Sequence, residues 1–163
     1  EGNVAFSIGD FDEHLYQVVP LETFPIRLLV NEKHPLAQKE SVTIEDLQGE
    51  PMFIESSQFH IYHLIVGKCE KAGFEPDIIF QTSGFSLCHK MVKANKGISV
   101  TVDFIYDDMR EDGMKLIPFS DGRYEWKACM ITRRDEEENE GVQCFRKHVQ
   151  EWLQKIRSGE ITR

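Results

Sequence analysis

Hydrophobic positions along this chain switch repeatedly between a period of two and a period near four, and the switches divide it into strands and helices. The clearest succession lies between Pro51 and Val102. Met52-Phe53-Ile54 is an apolar run. Ile61, Leu64, Ile65 and Cys69, with Lys68 among them, recur at helical spacing up to a stop at Ala72-Gly73. Ile78 to Phe80 is extended again, Leu87, Met91, Val92 and Ala94 mark a second helical face ended by Gly97, and Ile98 to Val102 forms a third extended run. Strand, helix, strand, helix and strand with short connections predict a parallel α/β unit. Each strand hands over to its helix through small hydroxylated residues, Ser56-Ser57 and Thr82-Ser83. In a parallel sheet these reversals line up along one edge. Helix N-termini bring unpaired N–H groups and partial positive charge to that edge, which suits a small anionic ligand.

Outside this stretch the pattern is looser. Val4 to Ile8 alternates as a strand does, Gly9 to Asp12 is a turn, and Leu15 to Leu21 is a second extended piece. Ile26 to Val30 is almost continuously apolar, as in a strand buried on both faces. Thr43 to Leu47 starts with a capping residue and acids, predicting one helical turn before Gly49. After Val102 the pattern predicts a short helix from Phe104 to Met109 and strands over Leu116 to Phe119 and Tyr124 to Thr132. A closing helix over 141–156 carries Val142, Phe145, Val149, Trp152, Leu153 and Ile156 on one face. The acids of Asp135 to Glu140 precede it, where they suit the helix dipole.

Composition narrows the function more than the fold. The 163 residues carry 40% hydrophobic and 29% charged side chains, enough for one domain or two small lobes with a core. A net charge of −9 repels nucleic acid and anionic membrane surfaces, and no apolar run is long enough to span a bilayer. The chain opens on Glu1-Gly2-Asn3 with neither an initiator Met nor a secretion leader, as a piece cut from a longer protein would. Cys69, Cys88, Cys129 and Cys144 show no metal-type spacing, so buried free thiols in a reducing cytoplasm are expected. His60 and His63 share a helix face without an evident third ligand, so surface histidines rather than a metal site are expected there.

Four segments in order resemble the effector-binding domain of LysR-type transcriptional regulators. They are the strand Val4-Ala5-Phe6; Leu28 to Ala37 with its His34-Pro35-Leu36-Ala37 turn, followed by Ile44 to Pro51; Cys69 to Pro76; and Met91 to Ile98. The resemblance covers roughly residues 3 to 156. It implies an α/β, two-lobed fold like type 2 periplasmic binding proteins, with a small-molecule effector in the cleft between lobes. Residues 25–103 would form lobe II, and 1–24 with 104–163 would form lobe I, with crossovers near 21–26 and 101–104. In the family a further strand–helix–strand of lobe I, a linker helix and a winged helix-turn-helix come first, so lobe I is expected to be incomplete here. DNA would be bound through that absent element, in a homo-oligomer, with no cofactor.

The same resemblance places Ser56, Ser57, Gln58 and Phe59, Thr82 and Ser83, and Thr101 at the cleft. By position alone each Ser can equally serve as an N-cap, and the two roles can coexist. Phe59 and Phe85 can wall a pocket or simply pack in the core. Two departures from the family pattern bear on chemistry. Val102 stands in place of the proline that usually ends the third strand and is followed by Asp103, a carboxylate near the hinge that weakens the anion reading or suggests an effector with a cationic group. His60 stands where the family's peroxide sensors carry their reactive cysteine, so no thiol–disulfide switch is expected although Cys69 matches its partner. A carboxylate is still the effector class that the helix ends favour. A solute-binding protein of a transport system has the same fold and is the alternative. An enzyme is disfavoured, since no nucleophile–base pair, phosphate loop or metal set stands out.

Overall fold

The computed structural model describes residues 4–109, 111–134 and 140–160. The acidic stretch 135–139, expected to lead into the last helix, lies outside the described residues. The chain divides into two compact units, Glu1–Thr23 with Lys127–Arg163, and Phe24–Trp126.

In the first unit β1 (Ala5–Ile8) pairs antiparallel with β7 (Glu125–Arg133), and β7 lies between β1 and the first half of β2 (Tyr16–Asn31). The helix α4 (Glu140–Arg157) buries Val142 and Val149, while Phe145 meets Phe6 edge-on at 6.3 Å between ring centroids. Arg157 Nη2 donates to the Leu21 carbonyl at 3.1 Å, tying the end of α4 back to β2.

The hydrophobic pattern predicts separate strands over 15–21 and 26–30, but the structure has one strand of 16 residues. Pro20 and Pro25 sit inside it, and proline cannot donate to a ladder. β2 continues past them by exchanging partners, from β7 in one unit to β5 and β6 in the other.

The second unit is built on β2's apolar half. β5 (Ser99–Val102) and β6 (Met114–Pro118) flank it, both antiparallel. β3 (Met52–Glu55) pairs in parallel with β4 (Ile78–Thr82), and a parallel bridge from Met52 to Ile98 joins β3 to the start of β5. The strands thus run in the order β6, β2, β5, β3, β4. Gly97 makes the last junction possible: a Cβ there would lie 2.1 Å from the Pro51 carbonyl oxygen, the same oxygen that accepts from Ile98 N at 2.8 Å.

Alternation gives the sheet two different faces. Ile26, Leu28 and Val30, Met52 and Ile54, Ile98, Val100 and Val102 all enter one apolar cluster. Ile61, Ile65 and Cys69 of α1 (His60–Lys71) close it. The opposite face carries Arg27, Leu29, Asn31, Phe53, Glu55, Ser99 and Thr101, and α2 (Phe85–Lys93) covers it with Cys88, His89 and Val92. Asn31 Nδ2 donates to the Lys93 carbonyl at 2.8 Å and so satisfies the end of α2.

The division into units falls between Trp126 and Lys127. The short helix α3 (Asp103–Asp108) and β6 stay with the second unit, because β6 bonds to the same residues of β2 that β5 does. Thr43 to Leu47 gives a single tight turn over Ile44–Leu47, where Asp46 Oδ2 accepts from Thr43 N at 3.0 Å.

Candidate functional site

Three parallel strands of the second unit end at one edge. β3 gives way to the turn Ser56-Ser57-Gln58-Phe59, and β4 to Thr82-Ser83-Gly84. These two reversals lie side by side: Glu55 pairs with Thr82, and Ser56 N donates to the Thr82 carbonyl at 2.8 Å. Both lead directly into helices, so the first turns of α1 and α2 sit at the same edge.

The serines do not cap those helices. α1 begins at His60 with Phe59 as its N-cap, and α2 begins at Phe85 with Gly84 as its N-cap; neither has a side-chain capping bond. The reason for the displaced start is the turn closed by Phe59 N donating to the Ser56 carbonyl at 3.0 Å, which takes up Ser57 and Gln58 before the helix can begin. His63 Nε2 donates to the Ser57 carbonyl at 2.7 Å and holds this turn against α1. Ser57, Gln58, Phe59 and Ser83 are exposed, Ser56 and Thr82 half-buried. With no side chain capping either helix, the N–H groups of both first turns are left for water or a ligand.

Thr101 is placed differently. It lies fully buried, and His89 Nε2 and Thr101 Oγ1 share a hydrogen bond of 3.1 Å. Counting three residues on from the Met52–Ile98 bridge puts Thr101 level with Glu55, on the face beneath α2. Thr101 therefore belongs to the packing under the edge, and Ser56, Ser57, Gln58, Phe59, Thr82 and Ser83 form the edge itself.

Asp103 is accounted for by Arg27. Arg27 Nε donates to Asp103 Oδ1 at 2.5 Å and Nη2 to Oδ2 at 3.0 Å, so this carboxylate already has a cationic partner. Sequence reasoning missed a different acid, Glu55. It is 7% exposed at the end of β3, its carboxylate has no hydrogen bond or ion pair among the described residues, and burial pushes it up to about 7. The strand it closes, Met52-Phe53-Ile54-Glu55, is buried at every residue, which the sequence alone does not show.

His89 was also missed. Burial holds its imidazole below the usual histidine range, against the opposing pull of Glu111. Among the described residues its Nδ1 is the one fully enclosed side-chain nitrogen or oxygen without a partner. The helical face predicted for α2 is rotated to accommodate it. Cys88, His89 and Val92 point inward, and Leu87 is 40% exposed on a groove of about 330 Å³ shared with Phe53, Ile79, Phe80 and Met91.

Cys69 and Cys88 are buried, and burial pushes each to about 11. Cys144, expected buried, is exposed, because α4 turns Val142 and Val149 inward instead. Among the described residues no cluster of three His, Cys, Asp or Glu side chains is arranged to hold a metal, and no helix is long and apolar enough to cross a membrane.

The fold is that of type 2 periplasmic binding proteins as LysR effector-binding domains use it. With a TM-score of 0.78 and 16% identity, the effector binding domain of QuiR in complex with shikimate is similar over 94% of this chain and 72% of its own. The BenM effector binding domain with its effector benzoate is similar at a TM-score of 0.77 and 18% identity, over 97% of this chain and 70% of its own. The LysR substrate binding domain family model matches residues 1–154, and the chain belongs to that family: it is an effector-binding domain of the LysR type. Among sequence relatives, the uncharacterized HTH-type transcriptional regulator YwbI of Bacillus subtilis (strain 168) is 27% identical over 142 residues, 87% of this chain and 47% of YwbI. The chain spans less than half the length of the curated relatives it matches.

Proposed function

We propose that this domain senses a small carboxylate-bearing effector at the edge formed by Ser56, Ser57, Gln58, Phe59, Thr82 and Ser83. The observation that carries the reading is that two helix N-termini at one edge, beside Ser57 and Ser83, have no side-chain capping bond among the described residues. A carboxylate at such an edge accepts from backbone N–H groups and serine hydroxyls together and is favoured by two helix dipoles. Phe59 adds an apolar wall, and Thr101 supports the floor through His89.

The complete protein, in this reading, is a homo-oligomeric transcription regulator of the cytoplasm that contacts DNA through a helix-turn-helix outside these residues. Effector binding favours one of its conformations, and the DNA-binding element reads out the changed population. The domain itself performs no catalysis. The relatives it matches are transcriptional regulators, which sets the transport reading aside.

A thermal-shift screen of the full-length gene product against aromatic and aliphatic carboxylates tests the proposal. Binding at a hundred times Kd stabilises by about 2.7 kcal/mol, which a melting curve resolves easily. A panel in which no carboxylate raises Tm counts against the reading.

A further inference from the structure

A buried carboxylate without a partner is costly, and folded proteins pair such groups or use them. Glu55 is 7% exposed and its carboxylate makes no hydrogen bond or ion pair among the described residues, although Thr82 and Thr101 stand level with it on the neighbouring strands. Its oxygens are nevertheless not sealed in. Among the described residues only His89 Nδ1 is both fully enclosed and unpartnered, so the Glu55 oxygens, equally unpartnered, reach the surface. Glu55 directly precedes Ser56 and pairs with Thr82, which places it at the root of the edge where α1 and α2 begin. Among the described residues no lysine or arginine pairs with Glu55: Arg27, two strands away on the same face, is engaged by Asp103, and the neighbour whose field Glu55 affects is the Cys88 thiol.

Resting on the effector reading above, we infer that Glu55 is the specificity-determining residue of this edge and selects an effector with an ammonium group beside its carboxylate, such as an α-amino acid. The two ends of the ligand meet opposite environments. Helix N-termini and serine hydroxyls take the carboxylate, and Glu55 takes the ammonium. No covalent chemistry is involved. The match is one of charge: ligand binding supplies the cation that burial denied Glu55, and a neutral or purely anionic ligand leaves it unpaired. The upward displacement of its carboxyl to about 7 is the cost that the ligand relieves.

Calorimetric titration of the full-length gene product with matched compounds tests this. Each set holds an α-amino acid, its N-acetyl derivative and the carboxylate of the same skeleton without nitrogen, for instance phenylalanine, N-acetylphenylalanine and 3-phenylpropionate. The inference expects one amino acid to bind at least about tenfold tighter than its two uncharged-nitrogen or nitrogen-free counterparts, and Glu55→Gln to erase that preference. The comparison among ligands on the unmodified protein needs no variant, so a poorly folded Glu55→Gln leaves the test intact. Carboxylates that bind equally with and without the ammonium would overturn the role of Glu55 and leave the effector reading standing. If no carboxylate of either kind binds, the effector reading falls and the inference falls with it.

Discussion

Arg27 holds Asp103 through two hydrogen bonds, Nε to Oδ1 at 2.5 Å and Nη2 to Oδ2 at 3.0 Å, joining β2 to the first residue of α3. Each side chain is about a third exposed, at 31% and 38%, so solvent screens the pair. A double-mutant cycle with Arg27→Met and Asp103→Asn should give a coupling of about 1 kcal/mol in urea unfolding, shrinking as salt is raised. A coupling that is absent at low salt would show that Asp103 is free to act elsewhere.

The serines at the edge should be dispensable for stability. Ser57→Ala and Ser83→Ala each remove a hydroxyl that caps nothing, so each should change unfolding free energy by less than about 0.5 kcal/mol. A genuine N-cap would cost about 1 kcal/mol. The same variants should weaken effector binding, which separates ligand contact from capping.

Gly97 should tolerate no side chain. Its Cβ would overlap the Pro51 carbonyl oxygen at 2.1 Å and Phe53 Cε2 at 2.9 Å, and the first of these is backbone already engaged by Ile98. Gly97→Ala should destabilise the protein by about 2 kcal/mol or more, because β3 must move away from β5. Denaturant unfolding measures it.

Two buried groups should tilt stability against pH in opposite directions. Glu55 binds its proton more tightly when folded, up to about 7 against 4.5 unfolded. Its contribution is therefore present below 4.5 and lost as pH rises to about 7, by at most about 3 kcal/mol. His89 is held below its ordinary 6.5, so the unfolded chain binds that proton first and stability is lost as pH falls below 6.5. In melting curves from pH 5 to 8, Glu55→Gln should gain relative to the parent as pH rises. His89→Gln should gain relative to the parent as pH falls.

Much of this was legible in the residues, and the exceptions have physical causes. The strand–helix succession from Met52 to Val102 follows from periodicity alone, because each element buries one face against the sheet. The join of two strand patterns into β2 was hidden by Pro20 and Pro25, which locally read as ends and only make sense once a change of partners is known. Ser57 looks like an N-cap in sequence; the turn that delays α1 to His60 depends on the bond between Phe59 N and Ser56 O, which spacing does not reveal. Thr101 was grouped with the edge because it lies near a strand end. Which way a strand residue faces is set by register, and register turned Thr101 toward His89. Glu55 escaped notice for the opposite reason, since a charged residue at a strand end reads as solvated until its burial is seen.

Backbone amide chemical shifts, followed as an effector found by the carboxylate screen is titrated into the full-length protein, test the central claim most directly. The account predicts that the largest changes fall on Ser56 to Tyr62 and Ser83 to Leu87, the two turns and the first helical turns they lead into. Large changes confined to other parts of the domain, with these two segments unmoved at saturation, would contradict it.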